Sequence, residues 1–294
     1  MKNNKGRVGV IGATGLIGEC LLPLLVEKGY DVVAFSRKSS ALRQPKKPNI
    51  SWRYLLAGDL QKKEKIANWI YLAPIWTLPQ YFSLLLHYGV RRIVALSSTS
   101  RFTKEQSSDE AEKKIADKLA HSEQTLVEWA QKNNLSWTIL RPTLIYGLGR
   151  DKNISVIIRF IRRFSFFPLL GQAQGLRQPV HARDVALACI AALSTKKAFN
   201  RSYNISGGET LTYREMVEKV FQSLGKKPHF LILPLWLFRA GIFTLRFLPR
   251  FRHWSAAMAE RMTQNLVFDH DEAIRDFGFA PRKFELATEG LSGI

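Results

Sequence analysis

Three groupings of residues have the types and spacing that chemistry needs. The first is Gly12-Ala13-Thr14-Gly15-Leu16-Ile17-Gly18, glycines at every third position directly after the apolar run Val8 to Ile11. Glycines so placed turn the chain, let the backbone approach a pyrophosphate and let a helix pack closely on a strand. The helix that follows would offer N–H groups and the positive end of its dipole to the phosphates. The second grouping is Ser97-Ser98-Thr99, three hydroxyls that close an apolar run. The third is Lys114 and Lys118, four residues apart and therefore on one helical face. If enclosed, their mutual repulsion would favour a neutral amine able to act as a base. On a surface they are a solvated pair that costs about 0.2–0.5 kcal/mol.

These groups need a scaffold, and the pattern supplies one. The glycine spacing is G-x-x-G-x-x-G rather than G-x-G-x-x-G, so the reading leans on the strand before it and the apolar helix Cys20 to Val26 after it. Further buried strands are expected at Asp31 to Phe35, Ile50 to Leu55, Trp69 to Pro74, Arg92 to Thr99 and Ser136 to Pro142. Helices are expected over Gln80 to Tyr88 and Asp109 to Asn133, the second opened by Ser107 and Glu110 as a capping box. Strands alternating with helices imply right-handed crossovers, hence an α/β chain with a doubly wound, parallel Rossmann sheet. Ligands of such sheets bind at the carboxyl ends of the strands. The glycine loop, Arg37, Ala73-Pro74 and Ser97 to Thr99 all fall there.

The second strand ends in Ser36-Arg37-Lys38. A carboxylate at this point would grip the adenosine ribose of NAD, whereas an arginine suits the extra phosphate of NADP. NADP is therefore the expected cofactor and NAD the alternative; a solvated basic turn is the plainer explanation it is preferred to.

Taken together, the glycine loop, Gly58-Asp59-Leu60, Leu72-Ala73-Pro74, Leu96 to Thr99, Leu140-Arg141-Pro142 through Tyr146-Gly147, Arg177, His181 to Ala186 and Phe277 to Arg282 stand in a familiar order. The chain resembles an extended short-chain dehydrogenase/reductase of the NAD-dependent epimerase/dehydratase type. The resemblance covers nearly the whole chain. It implies a Rossmann domain over residues 1–147 and about 176–206, and a smaller, mostly helical substrate domain over about 148–175 and 207–294. It also implies cofactor contacts from Gly12 to Gly18, Arg37, Asp59, Leu60, Leu72, Ala73, Pro74, Lys118 and the Arg141-Pro142 turn. Arg177 matches an arginine that meets substrate diphosphate in sugar-nucleotide members. His181 and Asp184 are expected to cap and support a helix.

Members of that family use a Ser or Thr with a Tyr and a Lys four residues apart. The tyrosine moves the proton of a substrate alcohol, the lysine lowers the phenol pKa, and the hydroxyl orients the oxygen. Thr99 matches the hydroxyl, with Ser98 beside it, and Lys118 matches the lysine. Lys114 stands where the tyrosine belongs, and none of the eight tyrosines has a lysine four residues later. Tyr146 could supply a phenol from another strand end. Two functions therefore stay open: an oxidoreductase or epimerase-like enzyme, or a dinucleotide-binding scaffold or sensor with little turnover.

A net charge of +20 favours anionic partners, among them a phosphorylated or nucleotide-linked small molecule. No zinc spacing, recognition helix or aromatic-interleaved basic motif points to nucleic acid. Cys20 and Cys189 lack metal-ligand spacing, and no metal is expected. They suit a reduced, cytoplasmic chain, and Met1 to Arg7 leads into the first strand rather than forming a signal peptide. Residues 231–252 are intensely apolar yet interrupted by Arg239 and Arg246, as in a helix that covers an active site or lies on a membrane surface. A second copy of the chain is a further expected partner.

Overall fold

The computed structural model describes residues 5–37, 47–55, 64–105, 107, 109–151, 153–234 and 262–286. Its first half alternates β1 (Arg7–Ile11), α1 (Leu16–Glu27), β2 (Asp31–Ser36), β3 (Ile50–Tyr54), β4 (Asn68–Tyr71), α2 (Phe82–His87), β5 (Arg92–Leu96), α3 (Ser100–Thr103), α4 (Glu110–Lys132) and β6 (Ser136–Pro142). There follow β7 (Ile145–Tyr146), α5 (Ile154–Phe164), β8 (Phe167–Leu170), β9 (Leu176–Arg177), β10 (Val180–His181), α6 (Ala182–Ser194) and β11 (Arg201–Ile205). The described chain closes with β12 (Leu211–Thr212), α7 (Tyr213–Ser223), β13 (Phe230–Leu233) and α8 (Asp271–Phe277).

Seven strands form one parallel sheet in the order β11-β6-β5-β4-β1-β2-β3. Side chains alternate across it, as the two-residue period of a strand demands. Val8, Val10, Val32, Ala34, Ile70, Val94 and Leu140 face α1 and α6, which contribute Leu21, Leu25, Val185 and Cys189. Ile11, Val33, Phe35, Trp69, Tyr71, Ile93 and Ile139 face the other way, where Leu119 and Leu126 of α4 cover them. Both faces are buried, which is why the strands read as nearly unbroken apolar runs. Strand order reverses between β1 and β4, and the crevice of such a sheet opens at that point.

A third core lies beyond the sheet: Ile154, Ile157, Ile158 and Ile161 of α5 pack with Met216, Val217, Val220 and Phe221 of α7 and with Phe284. It is tied back by Asp184 of α6, which accepts a bidentate pair from Arg282 (2.8–3.0 Å). His181 caps the same helix through Nδ1, which accepts from the Arg183 amide at 3.1 Å. Capping and support are what these two residues do. Both cysteines are free thiols.

Three local expectations change. Helix α4 is capped by Asp109, which accepts from the Ala111 amide at 2.9 Å, and not by Ser107. Ser107 instead donates to Glu112 at 2.9 Å. The expected helix at Gln80 is a 3₁₀ turn from Ile75, tightened because Thr77 bonds back to the Pro74 carbonyl at 2.8 Å, and α2 begins only at Phe82. The apolar segment opens as strand β13, parallel to β8, rather than as a helix. Residues 235–252 of the stretch assigned to a membrane or lid lie outside the described residues, as do Asp59 and Leu60. No helix among the described residues is long and apolar enough to cross a membrane.

Candidate active site

The glycine loop separates three physical requirements. Gly12 has φ +86°, a conformation that disfavours a side chain, and a Cβ there would stand 2.7 Å from the Ala73 nitrogen. At Gly18 a Cβ would stand 2.2 Å from the Ala13 carbonyl oxygen, so this glycine seats α1 against the loop. Gly15 differs: its φ of −82° suits any residue, and a Cβ would meet only the Gly12 oxygen at 3.3 Å. Its amide closes the turn by donating to Gly12 at 3.1 Å. Two glycines are thus demanded by the fold, and the third keeps the backbone bare where α1 begins. The amides of that first turn have no acceptor within the helix, and they carry the positive end of its dipole.

The loop forms one wall of a cleft of about 820 Å³, together with Leu16, Ile17 and Leu72. Ser98, Thr99, Ser100, Thr103 and Lys104 line it beyond β5, and Thr143, Leu144 and Ile145 beyond β6. The far side is built by Arg150, Asp151, Asn153, Arg177, Gln178, Tyr213, Met262, Leu266 and Phe268. The cleft thus runs from the reversal point of the sheet to the third core. Its hydroxyls are oriented: Thr99 donates to the Pro142 carbonyl at 3.3 Å, and Ser98 accepts from the Ser100 amide at 3.1 Å.

Glu123, 2% exposed, fastens this wall from behind. It accepts from Ser97 at 2.6 Å, from Arg141 at 2.7–3.1 Å and from Arg101, so one carboxylate joins β5, β6, α3 and α4. Burial alone would raise its carboxyl. Hydrogen bonds from Arg141 and Ser97, with the charges of Arg141 and Arg101, hold it below the usual carboxylate range. A buried carboxylate is kept ionised in this way only when several donors surround it.

Of the residues singled out in the sequence, the structure brings Gly12, Gly15, Leu16, Ile17, Gly18, Leu72, Ser98, Thr99 and Arg177 to the cleft. Ala13, Thr14, Ala73 and Pro74 flank it as backbone of the same turns. Arg37 stands exposed at the end of β2. Arg177 is only 4% exposed; its guanidinium donates to the Leu176 and Gln264 carbonyls at 2.7 Å and lies 5.6 Å from the Tyr213 ring.

Lys114, Lys118, Tyr146 and the Arg141-Pro142 turn are not part of the cleft lining. Lys114 and Lys118 are exposed and do not line the cleft, because the inward face of α4 carries Glu112, Ala116, Leu119 and Glu123. Lys118 reaches instead over the Trp76 ring, 5.0 Å from its centre. Tyr146 is 1% exposed and turned into the third core, where its hydroxyl meets the Lys283 carbonyl and the Glu285 amide at 3.4 and 3.3 Å. Burial pushes that phenol up to about 12. Arg141 is committed to Glu123, and Pro142 offers its carbonyl to Thr99, so this turn shapes the wall without lining the cleft.

The sequence reading missed Lys104, Arg150, Gln178 and Tyr213. A signal existed for Tyr213: Thr212 and Glu215 form a true capping box, with 3.1 Å from the Glu215 amide to the Thr212 hydroxyl. That box places Tyr213 at the first position of α7. Lys104 is held by Glu112 at 3.5 Å, a pairing across a loop that no spacing reveals.

The profile of the NAD dependent epimerase/dehydratase family matches residues 8–73 and 81–206. The chain belongs to that family. A Sinorhizobium fredii relative, the uncharacterized protein y4nG, is 26% identical over 299 residues, which span 93% of this chain and 74% of that protein. The mitochondrial NADH dehydrogenase [ubiquinone] 1 alpha subcomplex subunit 9 of Arabidopsis thaliana is 29% identical over 104 residues, 35% of this chain and 26% of that one. In fold, the chain resembles the UDP-glucuronic acid 4-epimerase of Bacillus cereus, solved with UDP-glucuronic acid and NAD (TM-score 0.71, 16% identity, 97% and 96% coverage). In this epimerase/dehydratase family member Gly12 and Gly18 are fixed by packing, whereas a Cβ at Gly15 would meet only the Gly12 oxygen.

Proposed function

We propose that the protein is an NADP-preferring oxidoreductase or epimerase-like enzyme acting on a nucleotide sugar or another hydroxyl or keto substrate. The observation that carries this reading is the bare Gly15 backbone at the head of α1, opening into a cleft that ends at Arg177 and Gln178. Gly12 to Gly18 would hold the pyrophosphate, and Arg37 the adenosine end. Basic Ser36-Arg37, with no acid at the strand end, supports the extra phosphate of NADP. When bound, the dinucleotide would supply hydride acceptance and return. Arg177 and Gln178 would orient an anionic or polar substrate, and Ser98 and Thr99 its reacting oxygen. The relative of similar fold binds UDP-glucuronic acid and NAD, which supports that substrate class.

A second reading, a binding protein with little turnover, is favoured by one observation: Lys114 and Lys118 stand outside the cleft and no tyrosine precedes a lysine by four residues. The partial match to a subunit of an NADH dehydrogenase subcomplex supports a role as an assembly subunit. Titration with NADPH and NADH separately, following energy transfer from the seven tryptophans, tests the first reading. Tighter NADPH binding is expected. Tighter NADH binding would remove the Arg37 argument, and binding of neither at millimolar concentration would overturn the cofactor site.

A further inference from the structure

Helix α5 is apolar on two faces, and a helix at a protein surface needs only one. Its isoleucines fill the third core. Yet Val156, Phe160 and Phe164, spaced by four residues, make a second ridge: Val156 is 50% and Phe164 49% exposed, and the half-buried Phe160 between them leans on the third core, 5.6 Å from the Phe167 ring. Phe160 packs on Phe164 at 4.7 Å and on Phe166 at 5.6 Å, which extends the ridge past the helix end. Arg159 and Arg163, also four apart and both exposed, run beside it. Strand β13, paired to β8 just after this helix, leaves Leu231 48% and Ile232 54% exposed.

The charged residues that α5 itself carries are all cations, the exposed Arg159, Arg162 and Arg163. The Asp151 carboxylate at its head is buried, accepting from the Asn153 and Ser155 amides at 2.9 and 3.1 Å. Lys226 reaches the α5 end, donating to Ser165 at 2.9 Å and to the Ile161 carbonyl at 3.3 Å. An apolar ridge bordered by exposed arginines matches the interface of an anionic bilayer: the rings enter the headgroup boundary while the cations meet lipid phosphates. We propose that the Val156–Phe160–Phe164 ridge and its flanking Arg159 and Arg163 dock the protein peripherally on an anionic lipid surface.

Co-sedimentation with phosphatidylcholine vesicles, with and without one third phosphatidylglycerol, tests this. Binding is expected only to the anionic vesicles and falls with added salt. Replacing both arginines (R159Q/R163Q) should lower the partition coefficient about 30-fold. The pair V156S/F164S should abolish binding while leaving the melting temperature unchanged. Equal binding to both vesicle types, no binding, or anionic binding that persists in both double variants overturns the proposal. So does a dimer, detected by light scattering, that V156S/F164S dissociates, because the ridge would then be a contact between copies.

Discussion

Arg150 and Glu19 join their side chains across the cleft, tying the loop after β7 to the first turn of α1. Both are well exposed, at 60% and 39%, so the pair itself adds little stability. Its position matters more. Glu19 holds a cation beside the very amides that would meet a pyrophosphate, and Arg150 is one of the residues lining the cleft.

On the proposed function, an incoming diphosphate would compete with Glu19 for Arg150. Removing the arginine (Arg150→Ala) should therefore weaken dinucleotide binding by about fivefold, roughly 1 kcal/mol for an exposed charge contact. Glu19→Gln should strengthen it by a smaller factor. Both differences should shrink in 1 M salt, where screening acts over about 3 Å. Tryptophan-to-nicotinamide energy transfer reads all three constants. Equal affinities in low salt would show that Arg150 stays with Glu19 in the complex.

Glu123 makes acid sensitivity a property of the cleft wall. Its folded-state carboxyl titrates below the ordinary 4.5, so its stabilisation is complete above that pH and is lost as pH falls through the folded value. Urea unfolding of the wild type should weaken steeply below about pH 4.5, and Glu123→Gln should flatten that dependence. At neutral pH the variant should lose about 3–5 kcal/mol, since Arg141 and Arg101 are left facing a neutral amide. A pH profile unchanged by the substitution would exclude Glu123 as the titrating group.

The exposed lysines set a contrary expectation to the family pattern. Lys114→Tyr and Lys118→Ala should leave both dinucleotide affinity and any turnover within about twofold, because neither side chain lines the cleft. Replacing the cleft residue Tyr213 by Phe, or Lys104 by Ala, should reduce turnover by about 10²-fold if either handles the substrate proton. Single-turnover assays with NADPH and a keto substrate separate these outcomes. A 10²-fold loss in Lys118→Ala would restore the lysine to the reaction.

These contrasts mark what the sequence discloses. Strands β1 to β6 and helix α4 were legible because both sheet faces are buried and α4 keeps helical spacing, patterns that depend only on neighbours along the chain. The glycine loop was legible for the same reason: Gly18 packs on Ala13 five residues earlier, although the Ala73 that crowds Gly12 comes from the turn after β4. The partners of Tyr146 and Arg141 were not legible, because burial direction is set by distant residues: Phe284 and Glu285 claim the phenol, and Glu123 claims the guanidinium. Lys118 is offset from the inward face of α4 by a single position. Its neighbour Leu119, 100° round the helix, is the one turned inward. Arg150 and Lys104 had no local signal at all, because their carboxylate partners come from other elements.

The glycine loop offers the sharpest separation of fold from function. Gly18→Ala puts a methyl 2.2 Å from a backbone oxygen that cannot yield cheaply, so it should cost about 1–3 kcal/mol and depress dinucleotide binding with it. Gly15→Ala meets only the Gly12 carbonyl oxygen, at a tight 3.3 Å and an ordinary φ, so its melting temperature should stay within about 4 °C of the wild type, well above that of Gly18→Ala. Its methyl nonetheless occupies the approach to the α1 amides, and affinity for NADPH should fall at least about tenfold, or roughly 1.4 kcal/mol. Thermal melts beside titrations of the two variants give four numbers. Stable Gly15→Ala protein with wild-type affinity would move the pyrophosphate away from the head of α1, and with it the reading of the whole cleft.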